Sequence, residues 1–249
     1  LRGMMAPEEA GRAYADLAEA VLTAIWPVVQ EEFALKHGAP PGRGAVVLGM
    51  GSLGAGRLHA RSDLDLIVIY DPQDVESSDG RRPLPSRTYY ARLTQALVTA
   101  MTARMSEGRL YEVDMRLRPS GNQGPVATSW ASFQRYQQEE AWTWEHLALT
   151  RARVIAGPRD FADDVEAFRL DLLAEPRDRT KVLSEVASML RRIEAAKGGS
   201  GPWDAKIGPG RMQEIELIGQ AAALTAGKPV RQTPRALRAA DWLDSGPLV

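Results

Sequence analysis

Two short apolar runs, at residues 45–49 and 63–70, flank the glycine-rich turn Met50-Gly51-Ser52-Leu53-Gly54-Ala55-Gly56. The first reads Ala45-Val46-Val47-Leu48-Gly49 and the second is dense in Ile67, Val68, Ile69 and Tyr70. Runs of this length and β-branched content read as strands rather than helices. A glycine turn leaving a buried strand can bring its backbone N–H groups close to an anion, because no side chain intervenes. The pair therefore predicts a small sheet with chemistry at one end.

The surrounding pattern supplies helices. Leu17, Val21, Ile25 and Val28 recur at helical spacing within a helix predicted over 8–36, with Pro27 expected to kink it. A breaker cluster at 38–42 and a loop at 72–87 bracket the strand pair. A helix over 89–106 leads to a third strand at 110–117. There Tyr111, Val113, Met115 and Leu117 alternate with Glu112, Asp114, Arg116 and Arg118, so one face is apolar and the other charged. Beyond it the chain turns helical: a long helix is expected over 129–156, then helices over 160–173, 181–196 and 211–226, with a hinge at 197–202. The expected class is α/β (α+β), a small mixed sheet with flanking helices followed by a helical-bundle domain. Its divisions are residues 1–42 as a helical segment packing on the catalytic domain, 43–157 as that domain and 158–249 as the helical domain.

Composition narrows the function. The chain has 249 residues, no cysteine, and 31 basic against 32 acidic side chains. This excludes a disulfide scaffold and argues against a surface that grips nucleic acid, which is usually strongly basic. Any phosphate site is then local. Arginine outnumbers lysine 26 to 5, a skew that a GC-rich genome produces without functional meaning. No apolar run approaches the roughly 20 residues that cross a bilayer, and Glu8, Glu9, Asp16 and Glu19 interrupt any leader-like core. The expected setting is cytoplasmic, with neither membrane nor nucleic acid as partner. The chain starts at Leu1 with no methionine before it, which is expected of a piece of a longer protein.

Three features converge on chemistry. Gly51-Ser52 offers backbone N–H groups and a hydroxyl. Asp63 and Asp65, two apart on a strand, share a face at roughly 7 Å separation. Asp114 stands on the charged face of another strand. Mg²⁺ takes oxygen ligands and commonly joins one or two carboxylates to substrate phosphates, and paired ions serve in-line phosphoryl displacement. Arg116 and Arg118 either neutralise these carboxylates or bind a triphosphate bidentately. Lys206 either reaches a phosphate or is a solvated cation at a helix end. His37, His59 and His146 lack zinc spacing and read as surface or packing residues. Trp142 and Trp144 are open to adenine stacking or packing, and at least one reads as packing.

Gly51-Ser52 followed by Asp63-x-Asp65 resembles the signature of the nucleotidyltransferase superfamily related to DNA polymerase β. The longer runs Ser62-Asp63-Leu64-Asp65-Leu66-Ile67-Val68-Ile69-Tyr70-Asp71, Tyr111-Glu112-Val113-Asp114-Met115-Arg116-Leu117-Arg118-Pro119-Ser120-Gly121 and Ala141-Trp142-Thr143-Trp144-Glu145-His146 resemble glutamine synthetase adenylyltransferases, enzymes with one adenylylating and one deadenylylating half. The similarity runs from about residue 10 to 225. It implies a nucleotidyltransferase fold, ATP as substrate, and Mg²⁺ or Mn²⁺ held by Asp63, Asp65 and Asp114. It further implies nucleotide contacts from Gly51, Ser52, Arg116, Arg118 and Lys206, and transfer of AMP to a tyrosine of glutamine synthetase with release of pyrophosphate. The PII regulatory protein is implied as a partner through the longer parent chain. Pro119-Ser120-Gly121-Asn122 and Trp142-Thr143-Trp144-Glu145-His146 look more like the half that transfers AMP. The competing readings are the deadenylylating half, in which phosphate attacks AMP-tyrosine and ADP leaves, and a non-catalytic ATP-binding module. The chain departs from the family at Ser52, where lysine is frequent, and at Arg211 and Glu214, where the family carries glycine and aspartate.

Overall fold

The computed structural model describes residues 5–197, 201 and 203–242. In chain order they form α1 (Pro7–His37), β1 (Gly44–Gly49), α2 (Gly51–Gly54), β2 (Leu64–Asp71), α3 (Ser86–Thr102), β3 (Val113–Asp114), β4 (Ala127–Ser129), α4 (Trp130–Glu139), α5 (Thr143–Leu149), β5 (Arg153–Ala156), α6 (Arg159–Ala174), α7 (Arg179–Lys197), α8 (Met212–Thr225) and α9 (Thr233–Ala239). They fall into two compact units. One holds the described residues up to Glu140 together with Ala152–Phe168, and the other holds Ala141–Arg151 and the described residues from Arg169 onward. The expected hinge at 197–202 lies largely outside the described residues.

The first unit is built on a mixed five-stranded sheet. β1 and β2 pair antiparallel from Gly44↔Asp71 to Gly49↔Leu66, and β5 adds antiparallel to the other side of β1 with a bulge between Val47 and Leu48. The remaining edge of β2 is shared. β3 pairs parallel with its beginning, Leu64↔Val113 and Asp65↔Asp114, and β4 pairs parallel with its end, Val68↔Ala127 through Tyr70↔Ser129.

Alternation in β2 decides what each face does. Leu64, Leu66, Val68 and Tyr70 join Ala45 and Val47 of β1 in one apolar cluster with Ala15, Ala18, Leu22 and Trp26 of α1 and Tyr89, Tyr90, Leu93, Leu97 and Met101 of α3. The α1 positions follow the 3–4 spacing that puts an apolar stripe on one side of a helix. Tyr70 stacks on Tyr90 at 4.4 Å between ring centroids, and Tyr89 meets Phe33 edge-on at 4.9 Å. The buried Tyr89 hydroxyl donates to the Gly38 carbonyl at 3.0 Å and that of Tyr90 to Pro41, satisfying polar atoms that would otherwise be costly inside a core. Tyr111, Val113 and Met115 pack against the same cluster. The odd-numbered positions of β2 and Asp114 of β3 therefore fall on the opposite face.

Three sequence expectations require correction. The strand expected at 110–117 is only Val113–Asp114, after which the chain turns, and β4, not expected from the sequence, pairs with Val68–Tyr70 farther along the same β2 edge. The helix expected over 129–156 is three elements. α4 starts at Ser129, whose side chain accepts from the Ser132 N–H. The chain breaks after Glu139, and α5 restarts with Glu145 accepting the Trp142 N–H at 3.0 Å. The β-branched Val154 and Ile155 then extend along β1, whose backbone groups on that side need partners. Beyond the last expected helix lies α9, opened by a proline in its first turn, a position where its fixed φ and missing N–H are tolerated.

The second unit is helical among its described residues. Ala222 and Ala223 of α8 pack on Ala236 of α9, with Val230, Leu237, Ala240 and Trp242 around them. The buried Arg151 pairs with Glu216 of α8 at 3.1 Å, and buried Arg169 donates to the Leu149 carbonyl at 3.1 Å. Among the described residues no helix is long and apolar enough to cross a membrane.

Candidate active site

The turn after β1 is shaped around a carboxylate. Gly51 opens α2 with φ +52°, the left-handed region that side chains seldom adopt, and a Cβ there would collide with the Asp65 carboxylate. The Met50 N–H donates to the Asp65 carbonyl at 2.8 Å, so backbone and side chain of Asp65 both lie against the turn. Ser52 follows, half-buried, on the first turn of α2.

Asp65 and Asp114 are direct neighbours across the parallel β2–β3 pair. Adjacent strands lie about 4.8 Å apart, so the two carboxylates share one face side by side. Asp63 is exposed just before β2 begins, two positions from Asp65. The structure thus brings Asp65 and Asp114 together, with Asp63 at the entry to β2.

Asp114 is bound on several sides by one residue. The Arg116 N–H donates to its Oδ1 at 2.8 Å, and the Arg116 guanidinium Nε reaches Oδ1 at 3.0 Å and Oδ2 at 2.8 Å. The guanidinium Nη2 makes the ion pair with Oδ2. These bonds, opposed by partial burial and aided by the charges of Arg116 and Arg118, hold the Asp114 carboxyl below the usual carboxylate range. Arg116 is raised in turn, first by its bond to Asp114 and its charge, then to a lesser degree by the charges of Asp65 and Asp63. A single exposed guanidinium therefore stands in the field of all three aspartates.

Arg118 has a different task. Its Nη1 donates to the Met115 carbonyl at 2.7 Å and its Nε to the Gly124 carbonyl at 3.3 Å. It fastens the loop in which Ser120 takes φ +60° and Gly121 φ +53°. Arg116 thus bonds Asp114 directly, while Arg118 acts on it only through its charge and gives its hydrogen bonds to backbone carbonyls.

Lys206 belongs to the second unit, on the loop before α8, with its side chain exposed. Its N–H donates to Asp204 Oδ1 at 2.8 Å, and its carbonyl accepts the Gln213 N–H at 3.1 Å. The two family departures on this loop fasten it. Arg211 donates to the Ile207 carbonyl at 2.7 Å and to Gly201 at 3.2 Å, and Glu214 accepts the Gly210 N–H. Trp142 and Trp144 are both exposed, so neither is the packing residue expected. His37 and His146 are buried and His59 is exposed. Arg151, the partner of Glu216, went unnoticed in the sequence because nothing in its neighbourhood marks it as buried.

Among the described residues no three His, Cys, Asp or Glu side chains are drawn together as a metal-binding group. The donor types still suit a hard cation: two carboxylates adjacent on one face, Asp63 two positions before one of them, and a glycine where a side chain would displace Asp65.

A sequence profile of the glutamate-ammonia ligase adenylyltransferase family matches residues 1–167. Three relatives are named bifunctional glutamine synthetase adenylyltransferase/adenylyl-removing enzyme. That of Mesorhizobium japonicum is 47% identical over 98% of this chain and 24% of its own length. That of Rhizobium meliloti is 47% identical over 91% of this chain and 23% of its own. That of Brucella suis is 46% identical over 94% and 24%. The chain spans about a quarter of the length of these curated relatives. Its matched segment contains the Gly51-Ser52 turn and all three aspartates, and the chain belongs to the glutamate-ammonia ligase adenylyltransferase family.

Proposed function

We propose that the chain transfers AMP from ATP to a tyrosine hydroxyl of glutamine synthetase and releases pyrophosphate, as the adenylylating half of a longer enzyme with a nucleotidyltransferase fold and a helical domain. One observation carries the reading: Asp65 and Asp114 lie in register on one sheet face, and Gly51 is a glycine where Asp65 needs the room. Relatives named for this activity support it.

ATP binds with its phosphates between the Gly51-Ser52 turn and the aspartates, where backbone N–H groups and the Ser52 hydroxyl donate to phosphate oxygens. Mg²⁺ or Mn²⁺, held by Asp63, Asp65 and Asp114, supplies charge neutralisation at the phosphates and acidifies the attacking hydroxyl. The phenolic oxygen forms a bond to the α-phosphorus as the bond from that phosphorus to the pyrophosphate oxygen breaks. A tyrosine has an ordinary pKa near 10, so either coordination to the cation or proton acceptance by Asp114 would be needed to form the phenolate. Arg116 is the proposed phosphate cation of the first unit, and Arg118 shapes the loop that follows Asp114. PII regulation is assigned to the longer parent chain.

Pro119-Ser120-Gly121-Asn122 and the Trp142 to His146 run favour AMP transfer over its removal. Incubating the chain with ATP, Mg²⁺ and unmodified glutamine synthetase should add one AMP mass per modified tyrosine, read by intact-mass analysis. Incubation with phosphate and AMP-modified enzyme should release no ADP. The reverse pair of results assigns the deadenylylating half, and failure of both reactions with retained ATP binding assigns a binding module.

A further inference from the structure

We propose that Arg116 is the resident counter-cation of the aspartate face: it holds Asp114, yields that carboxylate to an arriving divalent cation, and turns to the triphosphate. This rests on the metal-dependent reading above. Three observations support it. Arg116 binds both oxygens of Asp114 through its guanidinium and one of them again through its own N–H. A carboxylate so occupied has few lone pairs left for a metal. The Arg116 side chain is 73% exposed while that of Asp114 is 18% exposed, so the guanidinium covers Asp114 from the solvent side and is able to swing away without disturbing the core. Asp65 stands in register beside Asp114 across the β2–β3 pair, so the carboxylate that Arg116 covers is one of two adjacent ones.

The device has a physical rationale. Asp65 and Asp114 are adjacent like charges, which repel when nothing neutralises them. A guanidinium offset against them keeps Asp114 ionised and oriented. It is also an exposed partner of the kind whose net contribution is small, so a divalent cation with several oxygen ligands is able to displace it. Once displaced, its planar fork matches phosphate oxygens. Arg118 is not interchangeable with it, since Arg118 is committed to the Met115 and Gly124 carbonyls.

The exchange predicts effects of opposite sign from one substitution. In the 249-residue chain without nucleotide, Arg116→Gln should bind Mn²⁺ roughly three- to tenfold more tightly than the wild type, read by electron paramagnetic resonance titration of unbound Mn²⁺. With Mn²⁺ saturating, the same variant should bind ATP several-fold more weakly by equilibrium dialysis. Arg116→Lys, which keeps the charge without the fork, should lie between wild type and Arg116→Gln in both measurements, and it serves alone if Arg116→Gln does not fold. Equal Mn²⁺ affinity in wild type and variants overturns the exchange and leaves the carboxylate site standing. Tighter Mn²⁺ with unchanged ATP affinity overturns the turn to phosphate. No Mn²⁺ binding in any of the proteins overturns the metal reading, and the exchange with it.

Discussion

The two faces of β2 divide stability from chemistry within one strand. Its even-numbered residues, Leu64 to Tyr70, are sealed under α1 and α3, where they share one apolar cluster. On the other face Asp65 stands beside Asp114, hemmed by Gly51 and guarded by Arg116. Adjacent residues thus answer to different physics: Leu64 and Leu66 lie among apolar side chains, while Asp65 between them lies beside another carboxylate. Because the strand period is two, neither demand compromises the other. The division holds at the start of the strand, since farther along the Asp65 face Ile67 and Ile69 are buried as well.

The sharpest way to break this comparison is to change neighbours and read two quantities. Asp65→Asn should reduce AMP transfer at least about a hundredfold, since even residues that merely orient metal ligands cost about 10–100-fold. Its melting temperature should stay within a few degrees of wild type. Leu66→Ala, one position along and 1% exposed, should do the opposite: about 2–5 kcal/mol less stable in urea unfolding, with near-normal transfer in the folded fraction. If Asp65→Asn unfolds the chain, or Leu66→Ala leaves stability unchanged, the division between the faces is wrong.

A second, smaller effect concerns the turn. Gly51→Ala combines a left-handed backbone with a collision against the Asp65 carboxylate, whereas Gly56→Ala has φ +70° and nothing within 4 Å of the new methyl group. Left-handed backbone alone costs an L-residue about 1–2 kcal/mol, which both variants should show in denaturant unfolding. Only Gly51→Ala should also lose AMP transfer, because only there must the carboxylate move. Equal activity in the two variants would detach Gly51 from the site.

Much of this was legible in the sequence, for reasons that differ by element. β1 and β2 announce themselves through β-branched residues and a glycine turn, and the face of Asp114 follows from local alternation between Tyr111 and Met115. Alternation does not reveal where a strand stops, so the eight-residue strand expected at 110–117 is two residues long in the structure, with a turn following Asp114. β5 escaped because Val154 and Ile155 continue an apolar pattern that also suits a helix, and only pairing with β1 decides between them. The roles of Arg116 and Arg118 were inseparable in sequence, since alternation places both on one face. The difference lies in their partners, a carboxylate for one and two carbonyls for the other.

The smallest effect separates the faces by pH. Burial, with a lesser push from the Asp79 charge, raises the Tyr89 hydroxyl to about 12, and burial with nearby charges raises Tyr90 further. For an acid raised on folding, the neutral form is favoured in the native state. The stabilisation is complete below the ordinary tyrosine value near 10 and is lost as pH climbs from there through the folded value of about 12. Asp114 has the opposite sign: its carboxyl is depressed, chiefly by the Arg116 bond. Its contribution is present above the ordinary aspartate value near 3.9 and is lost as pH falls through the lower folded value. The apolar face should therefore set the alkaline limb of the stability curve and the polar face part of the acid limb. Urea midpoints measured across pH should show Tyr89→Phe flattening the alkaline limb alone and Asp114→Asn flattening the acid limb alone. The acid effect should be the weaker, because the guanidinium that depresses Asp114 is open to solvent and screened. If either substitution altered the limb assigned to the other face, the two faces would not be independent.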